Sequence, residues 1–248
     1  VINPNKINLS DSEFFYFFVK NQKWSPFQNH GILVNNVLEK KYEDWPCQIN
    51  SYLNLLEAIN TKNKQILDLG CGWGRGTSIL NNYYKCNIIG IDYNYDFITY
   101  AKNKFKNTKY ILDDFLKTNL NNDSFDIILS NCSNHFFYNK KIYYQNLKNI
   151  LKKEGVIIIT DIFNNLSKDV FEKNLLEHNF KIEKIEDLTK TTTDAMEYDV
   201  NTIEDRFKKT INLDCINAFK VIQEHRLYLF KKQLNFQFKY LIKNDIKK

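Results

Sequence analysis

The sequence predicts a doubly wound α/β fold with a mostly parallel sheet, on three observations. Short apolar runs without polar alternation recur at 65–69, 86–92, 109–114, 124–130 and 156–161. The stretches between them carry helical spacing, and unalternated strands separated by helices belong to a parallel sheet covered on both faces. Four of the seven glycines, Gly70, Gly72, Gly74 and Gly76, follow directly on the first run. There the chain must turn tightly and leave its backbone open to close approach.

The elements follow in order. Residues 65–69 form a buried strand, and 77–84 begin a helix whose first N–H groups face whatever the glycine turn holds. The run 86–92 ends in an acid, Asp92. A helix over 96–106 leads to a strand at 109–114, then a strand at 124–130 and a helix over 141–151 with Ile142, Leu147, Ile150 and Leu151 on one face. Lys153-Glu154-Gly155 turns into 156–161, the most β-branched run in the chain. Residues 168–178 read as a helix, 180–188 as a strand and 235–242 as the last strand. Between these, 202–232 carries Ile203, Phe207, Ile211, Cys215, Phe219 and Ile222 near a helical stripe. Upstream, Pro46 is placed near the start of a helix running to Ile59. An aromatic run from Phe14 to Phe18, with Trp24, Phe27 and Trp45, precedes it.

The chain has 248 residues, enough for one sizeable core with a cap and short for two independent domains. Nineteen Phe and 15 Tyr argue against disorder. The net charge of +6 comes from basic residues scattered along the chain, apart from the tail at 243–248, and bears on solubility more than on partner choice. Five cysteines without a Cys-x-x-Cys fit reduced thiols in a cytoplasmic protein and no zinc or other metal cluster. No stretch has the length and apolarity of a membrane span, and no separate nucleic-acid module or dense basic aromatic patch is visible.

The glycine spacing narrows the ligand. A dinucleotide turn requires Gly-x-Gly-x-x-Gly, but position 75 is arginine, and no Gly-Lys-Ser/Thr follows. The segment Leu67-Asp68-Leu69-Gly70-Cys71-Gly72-Trp73-Gly74 resembles motif I of the class I S-adenosylmethionine (SAM) dependent methyltransferases. That resemblance implies a seven-stranded sheet ending in an antiparallel hairpin. It divides the single domain into an N-terminal helical cap at 1–60, a SAM-binding core at 61–190, a helical cap insertion at 191–232, and a last strand and tail at 233–248.

The resemblance also assigns residues. Gly70, Cys71, Gly72 and Gly74 let the backbone approach the amino-acid and ribose parts of SAM, and Asp68 helps hold the methionine ammonium. Asp92, with Tyr93 after it, accepts from the ribose hydroxyls; a carboxylate takes two donors at once. Asp113 and Asp114 compete for the adenine amino group, and counting back from Ser124-Phe125-Asp126 favours Asp114, with Phe115 beside the ring. Ser130 and Asn131 line the sulfonium side. Trp73 is either a pocket wall or packing for the cap.

Of the four histidines, His135 after the fourth strand is the candidate general base, and His30 of Asn29-His30-Gly31 resembles the cap motif that closes over the site. His178 and His225 read as solvated or packed. Asp161 is placed to orient an acceptor group, and Tyr16 and Trp24 to supply an aromatic wall. No proline occurs after Pro46, so the Asn/Asp-Pro-Pro-Tyr/Phe motif of nucleic-acid amino-methyltransferases is absent. The expected enzyme methylates an O or N atom of a small molecule, releases S-adenosylhomocysteine (SAH), and is a monomer or homodimer. A SAM-binding protein that transfers no methyl group, or a protein or RNA methyltransferase, is the alternative.

Overall fold

The computed structural model describes residues 29–33, 45–209 and 213–245. Its elements run α1 (Pro46–Leu56), β1 (Gln65–Leu69), α2 (Arg75–Tyr84), β2 (Asn87–Asp92), α3 (Tyr95–Lys104), β3 (Lys109–Leu112), β4 (Phe125–Asn131), α4 (Lys140–Ile150), β5 (Leu151–Phe163), α5 (Asn165–Glu177), β6 (Phe180–Asp187), α6 (Thr189–Phe207), α7 (Leu213–Lys231) and β7 (Phe236–Asn244). Short 3-10 turns lie at Phe115–Lys117 and Asn134–Phe136.

Seven strands form one sheet in the order β3-β2-β1-β4-β5-β7-β6. β7 runs antiparallel to β5 and β6, and the other neighbours are parallel. The doubly wound fold and the terminal antiparallel hairpin expected from the sequence are both present. The order reverses between β1 and β4, where connections leaving in opposite directions open a crevice at the carboxyl ends of the strands.

Burial explains the missing polar alternation. Ile66, Ile88, Ile127, Leu129 and Ile158 join one core with Ile49 and Leu55 of α1, Leu80 of α2 and Ile203 of α6. Leu67, Leu69, Ile91, Ile128, Ile157 and Ile159 join the opposite core with Tyr143 and Leu147 of α4 and Leu175 of α5. Successive strand residues therefore enter different cores, and both faces must be apolar.

Two expectations are corrected. Lys153-Glu154-Gly155 is not a turn between helix and strand: β5 begins at Leu151, and the pairing jumps from Phe125↔Leu151 to Ile127↔Val156. The extra residues are absorbed as a bulge. The helical region 202–232 is two helices, broken between Phe207 and Leu213. Ile203, Phe207 and Phe219 are buried as expected, but among the described side chains of α7 the buried ones are Ile216, Phe219, Gln223 and Phe230, so a single stripe through Ile222 does not continue across the break. The side chains of Ile211 and Cys215 lie outside the described residues, as do Phe14 to Phe18, Trp24 and Phe27.

Smaller boundaries shift as well. α2 starts two residues earlier than expected, at Arg75, and β3 ends at Leu112, which leaves Asp113 and Asp114 in the following loop. Pro46 is in the first turn of α1, where its missing N–H costs nothing. Asp126, of the Ser-Phe-Asp element, pins the amino end of β1: its carboxylate accepts from the Gln65 N–H at 2.9 Å and from Lys152 Nζ at 2.8 Å. Burial opposes ionisation there, but the hydrogen bonds from Lys152, Gln65 and Lys64 hold the carboxyl at about 2.

Candidate functional site

β1 is buried from Ile66 to Leu69 and delivers the chain into the glycine turn. Gly70, Gly72 and Gly74 have φ of +76°, +53° and +77°, a region that side chains disfavour. Close packing adds to the requirement. A Cβ on Gly70 would lie 2.6 Å from Ser133 Cβ, and one on Gly74 would lie 2.5 Å from Ala101 Cβ. Gly76 is different: its φ is ordinary, but a Cβ there would fall 2.0 Å from Cζ of Tyr52. Three glycines make the turn and the fourth seats a ring.

A cavity of about 400 Å³ opens over the carboxyl ends of β1, β2 and β4, within the usual size of small-molecule sites. Its wall includes Gly70 to Trp73, Asp92 and Tyr93, Asp113 to Leu116, Asn131 to Ser133, and Phe136 to Tyr138, with Asn29 and Tyr52. The Asp92 carboxylate is held by backbone donors, from the Gly72 N–H to Oδ2 and the Asn94 N–H to Oδ1, both at 2.9 Å. Burial raises its pKa and these donors oppose the rise. The N-cap of α3 is Asn94, which accepts from Asp96 and Phe97, so Asp92 is not spent on capping.

The other wall residues have local duties too. Asp114 accepts from the Leu116 N–H at 3.1 Å and faces Lys117 Nζ at 3.4 Å, while the Asp113 carboxylate bonds to the Thr118 hydroxyl. Both acids reach the cavity wall. Phe115 is buried against Phe137 and Tyr143, whereas Tyr93 is 73% exposed at the rim. Trp73 lines the wall and packs on Phe97 and Tyr100 of α3.

Several expected site residues stand behind the wall. Gly74 caps α2 against Tyr110, whose hydroxyl donates to the Gly74 carbonyl at 2.6 Å. Ser130 is fully buried and shares a hydrogen bond with Ser133 Oγ, which in turn donates to the Leu69 carbonyl. The strand end meets the cavity through Asn131, Cys132 and Ser133 instead. Asp68 is also fully buried behind the wall, with Oδ2 accepting from Thr77 Oγ1 at 2.6 Å and Oδ1 without a partner.

Burial pushes the Asp68 carboxyl up to about 7, against the Thr77 bond and with Asp92 adding to the rise. A raised folded-state value means that stability from the retained proton is present below the ordinary 3.8 and is lost as pH climbs through about 7. Asp68→Asn keeps an acceptor for Thr77 and removes the ionisation. Without ligand it is expected to melt with the wild type at pH 4 and roughly 5–10 °C higher at pH 8. Thermal unfolding at both pH values checks this, and equal melting at pH 8 contradicts it.

His135 sits in the 3-10 turn after β4, half exposed, beside Phe136 of the cavity wall. Asp161, 1% exposed near the end of β5, holds it twice: Oδ1 lies 2.8 Å from Nδ1, and Oδ2 accepts the His135 backbone N–H at 3.0 Å. A carboxylate at Nδ1 makes that nitrogen the donor and Nε2 the basic one. His30 is buried, with burial first and the charges of Arg226 and His135 next in holding its pKa well below the usual value. It is a neutral imidazole near His135. Its Gly31 neighbour, at φ +77°, leaves no room for a Cβ beside Cys47. His178 bonds to the Asn174 carbonyl at the end of α5, and His225 is exposed.

Sequence reasoning missed Tyr52, Cys132, Ser133 and the run Phe136 to Tyr138 as cavity walls. Only Tyr52 left a trace in the sequence, in the surplus fourth glycine.

Residues 60–233 match the family described as a methyltransferase domain, and the chain belongs to that family. The fold and glycine turn are those of the class I SAM-dependent methyltransferases. A malonyl-[acyl-carrier protein] O-methyltransferase of Ilyobacter polytropus is 29% identical over 167 residues, covering 62% of this chain and 61% of the relative. The chain thus spans under two thirds of that relative's length.

Among solved structures, a phosphoethanolamine N-methyltransferase of Haemonchus contortus superposes with a TM-score of 0.74 at 15% identity, covering 98% of this chain and 59% of that one. The cyclopropane synthase MmaA2 of Mycobacterium tuberculosis gives 0.70 at 14% identity over 95% and 94%. These two share the fold. Among the described residues no helix is long and apolar enough to cross a membrane.

Proposed function

We propose that the protein transfers a methyl group from SAM to an O or N atom of a small-molecule acceptor. The observation that carries this reading is the Asp92 carboxylate, fixed by two backbone N–H groups at the cavity wall between the glycine turn and the Asp113–Asp114 loop. Its two bonds leave lone pairs for a pair of hydroxyls. The cavity's lining fits the rest of SAM: Asn131 brings a buried amide donor without an acceptor, and Phe115 an aromatic face beside the acids.

When bound, SAM supplies a methyl group already activated on a cationic sulfur, so alignment and exclusion of water do most of the work left to the protein. Gly70, Cys71 and Gly72 bring backbone close to it, and Asp114 takes the adenine amino group. His135 is the base: Asp161 positions it through Nδ1 and leaves Nε2 to take the proton of a hydroxyl or ammonium acceptor. His30, neutral beside it, closes the acceptor side; the cap assigned to 1–60 and 191–232 around a 61–190 core lies in part (1–28, 34–44 and 210–212) outside the described residues. Reduced cysteines at 47, 71, 86 and 132 support a cytoplasmic setting.

The test is transfer of labelled methyl from SAM into cell extract separated into metabolites, protein and nucleic acid. Label in the metabolites is the expected result. Label confined to protein or nucleic acid would overturn the small-molecule class, and none anywhere would overturn methyl transfer itself.

A further inference from the structure

Lys140 opens α4 and is half-buried. The first turn of a helix disfavours a cation, and a lysine there ordinarily extends its head into water. This one turns back. Its Nζ donates to the Asn134 carbonyl at 2.8 Å and lies 5.6 Å from the centre of the Tyr143 ring. The Asn134 carbonyl and the His135 N–H belong to one peptide group, and that N–H donates to Asp161 Oδ2 at 3.0 Å. The peptide that carries His135 is therefore clamped on both sides, by a cation at its oxygen and a carboxylate at its N–H. Charges placed so polarise the group between them and strengthen both bonds.

The same two residues set the charge around the imidazole. Asp161 Oδ1 lies 2.8 Å from His135 Nδ1, and a carboxylate there favours the imidazolium, which is no base. The other titratable groups around His135 are Lys140 and Tyr143 on α4, Cys132 after β4, His30 and, on α7, Arg226. Burial keeps Tyr143, Cys132 and His30 uncharged. The charge of Arg226 reaches His30 and Cys132. That of Lys140 faces Asp161: burial lowers the Lys140 pKa and the Asp161 charge opposes the fall.

We propose that Lys140 is a positioning residue for the base. It clamps the turn that presents His135 and sets its positive charge against that of Asp161, so the imidazole stays free to take a proton near neutral pH. The proposal rests on the reading of His135 as the base.

Two variants separate charge from hydrogen bond: Lys140→Gln keeps a donor without the charge, and Lys140→Arg keeps both. The His135 ring is followed by NMR across pH, its signal being the one missing from His135→Ala. Methyl transfer into the metabolite fraction is followed over the same range. In Lys140→Gln the His135 midpoint is expected to rise by roughly half a pH unit or more, the effect of one nearby charge in partly screened surroundings. The acid limb of the rate profile should rise with it, while SAH affinity and KM for SAM hold. Lys140→Arg should restore both midpoint and profile. An unmoved midpoint in Lys140→Gln, or an equal rise in Lys140→Arg, overturns the role of Lys140. A midpoint that rises while the rate profile stays overturns His135 as the base, and the proposal with it.

Discussion

Asp92→Ala is expected to raise the dissociation constant for SAM by about 100-fold or more, from the loss of two hydrogen bonds to a charged acceptor. The effect is large because the carboxylate is already oriented. Gly72 and Asn94 fix both oxygens, so little conformational freedom is lost when the ribose hydroxyls arrive. The substitution also takes an acceptor from the Gly72 N–H, which loosens the glycine turn. Asp92→Asn is therefore the finer probe: it retains the shape and one acceptor, and its loss should fall between wild type and alanine. Calorimetry on all three proteins checks the order, and near-wild-type affinity in Asp92→Ala would remove Asp92 from the cofactor site.

His135→Ala is expected to lower turnover by roughly 10²–10⁴-fold, the usual contribution of a positioned base, with SAH affinity kept. The separation is expected because His135 lies beside the cavity wall, while the residues proposed for adenosine are on β2 and in the loop after β3. Asp161→Asn acts through His135. It keeps the size of the side chain but weakens the bond that sets the imidazole tautomer, so turnover should fall and the pH profile shift while KM for SAM holds. Steady-state rates across pH on both variants decide. Normal turnover in His135→Ala would leave Asp161–His135 a structural pair.

The cofactor side of the protein was legible because its requirements are local. A turn with three left-handed residues in five positions needs glycine, and a strand buried on both faces needs an unbroken apolar run. Asp92 could be placed from its position at the end of such a run. The rest of the site was less legible because its contacts cross long sequence distances. Tyr52 meets Gly76 and Asp161 meets His135 through packing that no spacing reveals. Asp68 shows the limit of a motif: its place in sequence suggested a hold on the ligand's ammonium, directly or through water, and only the fold shows that one oxygen is spent on Thr77 and the carboxylate set behind the wall. Ser130 and Asn131 differ in the same way, with one buried behind Ser133 and the next reaching the cavity. The break between α6 and α7 escaped because apolar residues on both sides of it share a core, so a helical stripe seemed to run through.

A structure of the protein crystallised with SAH decides whether this cavity is the cofactor site. The ligand is expected over the carboxyl ends of β1, β2 and β4, with its ribose hydroxyls on Asp92 and its adenine between Phe115 and the Asp113–Asp114 loop. SAH bound elsewhere, or in this cavity with the ribose away from Asp92, would contradict it.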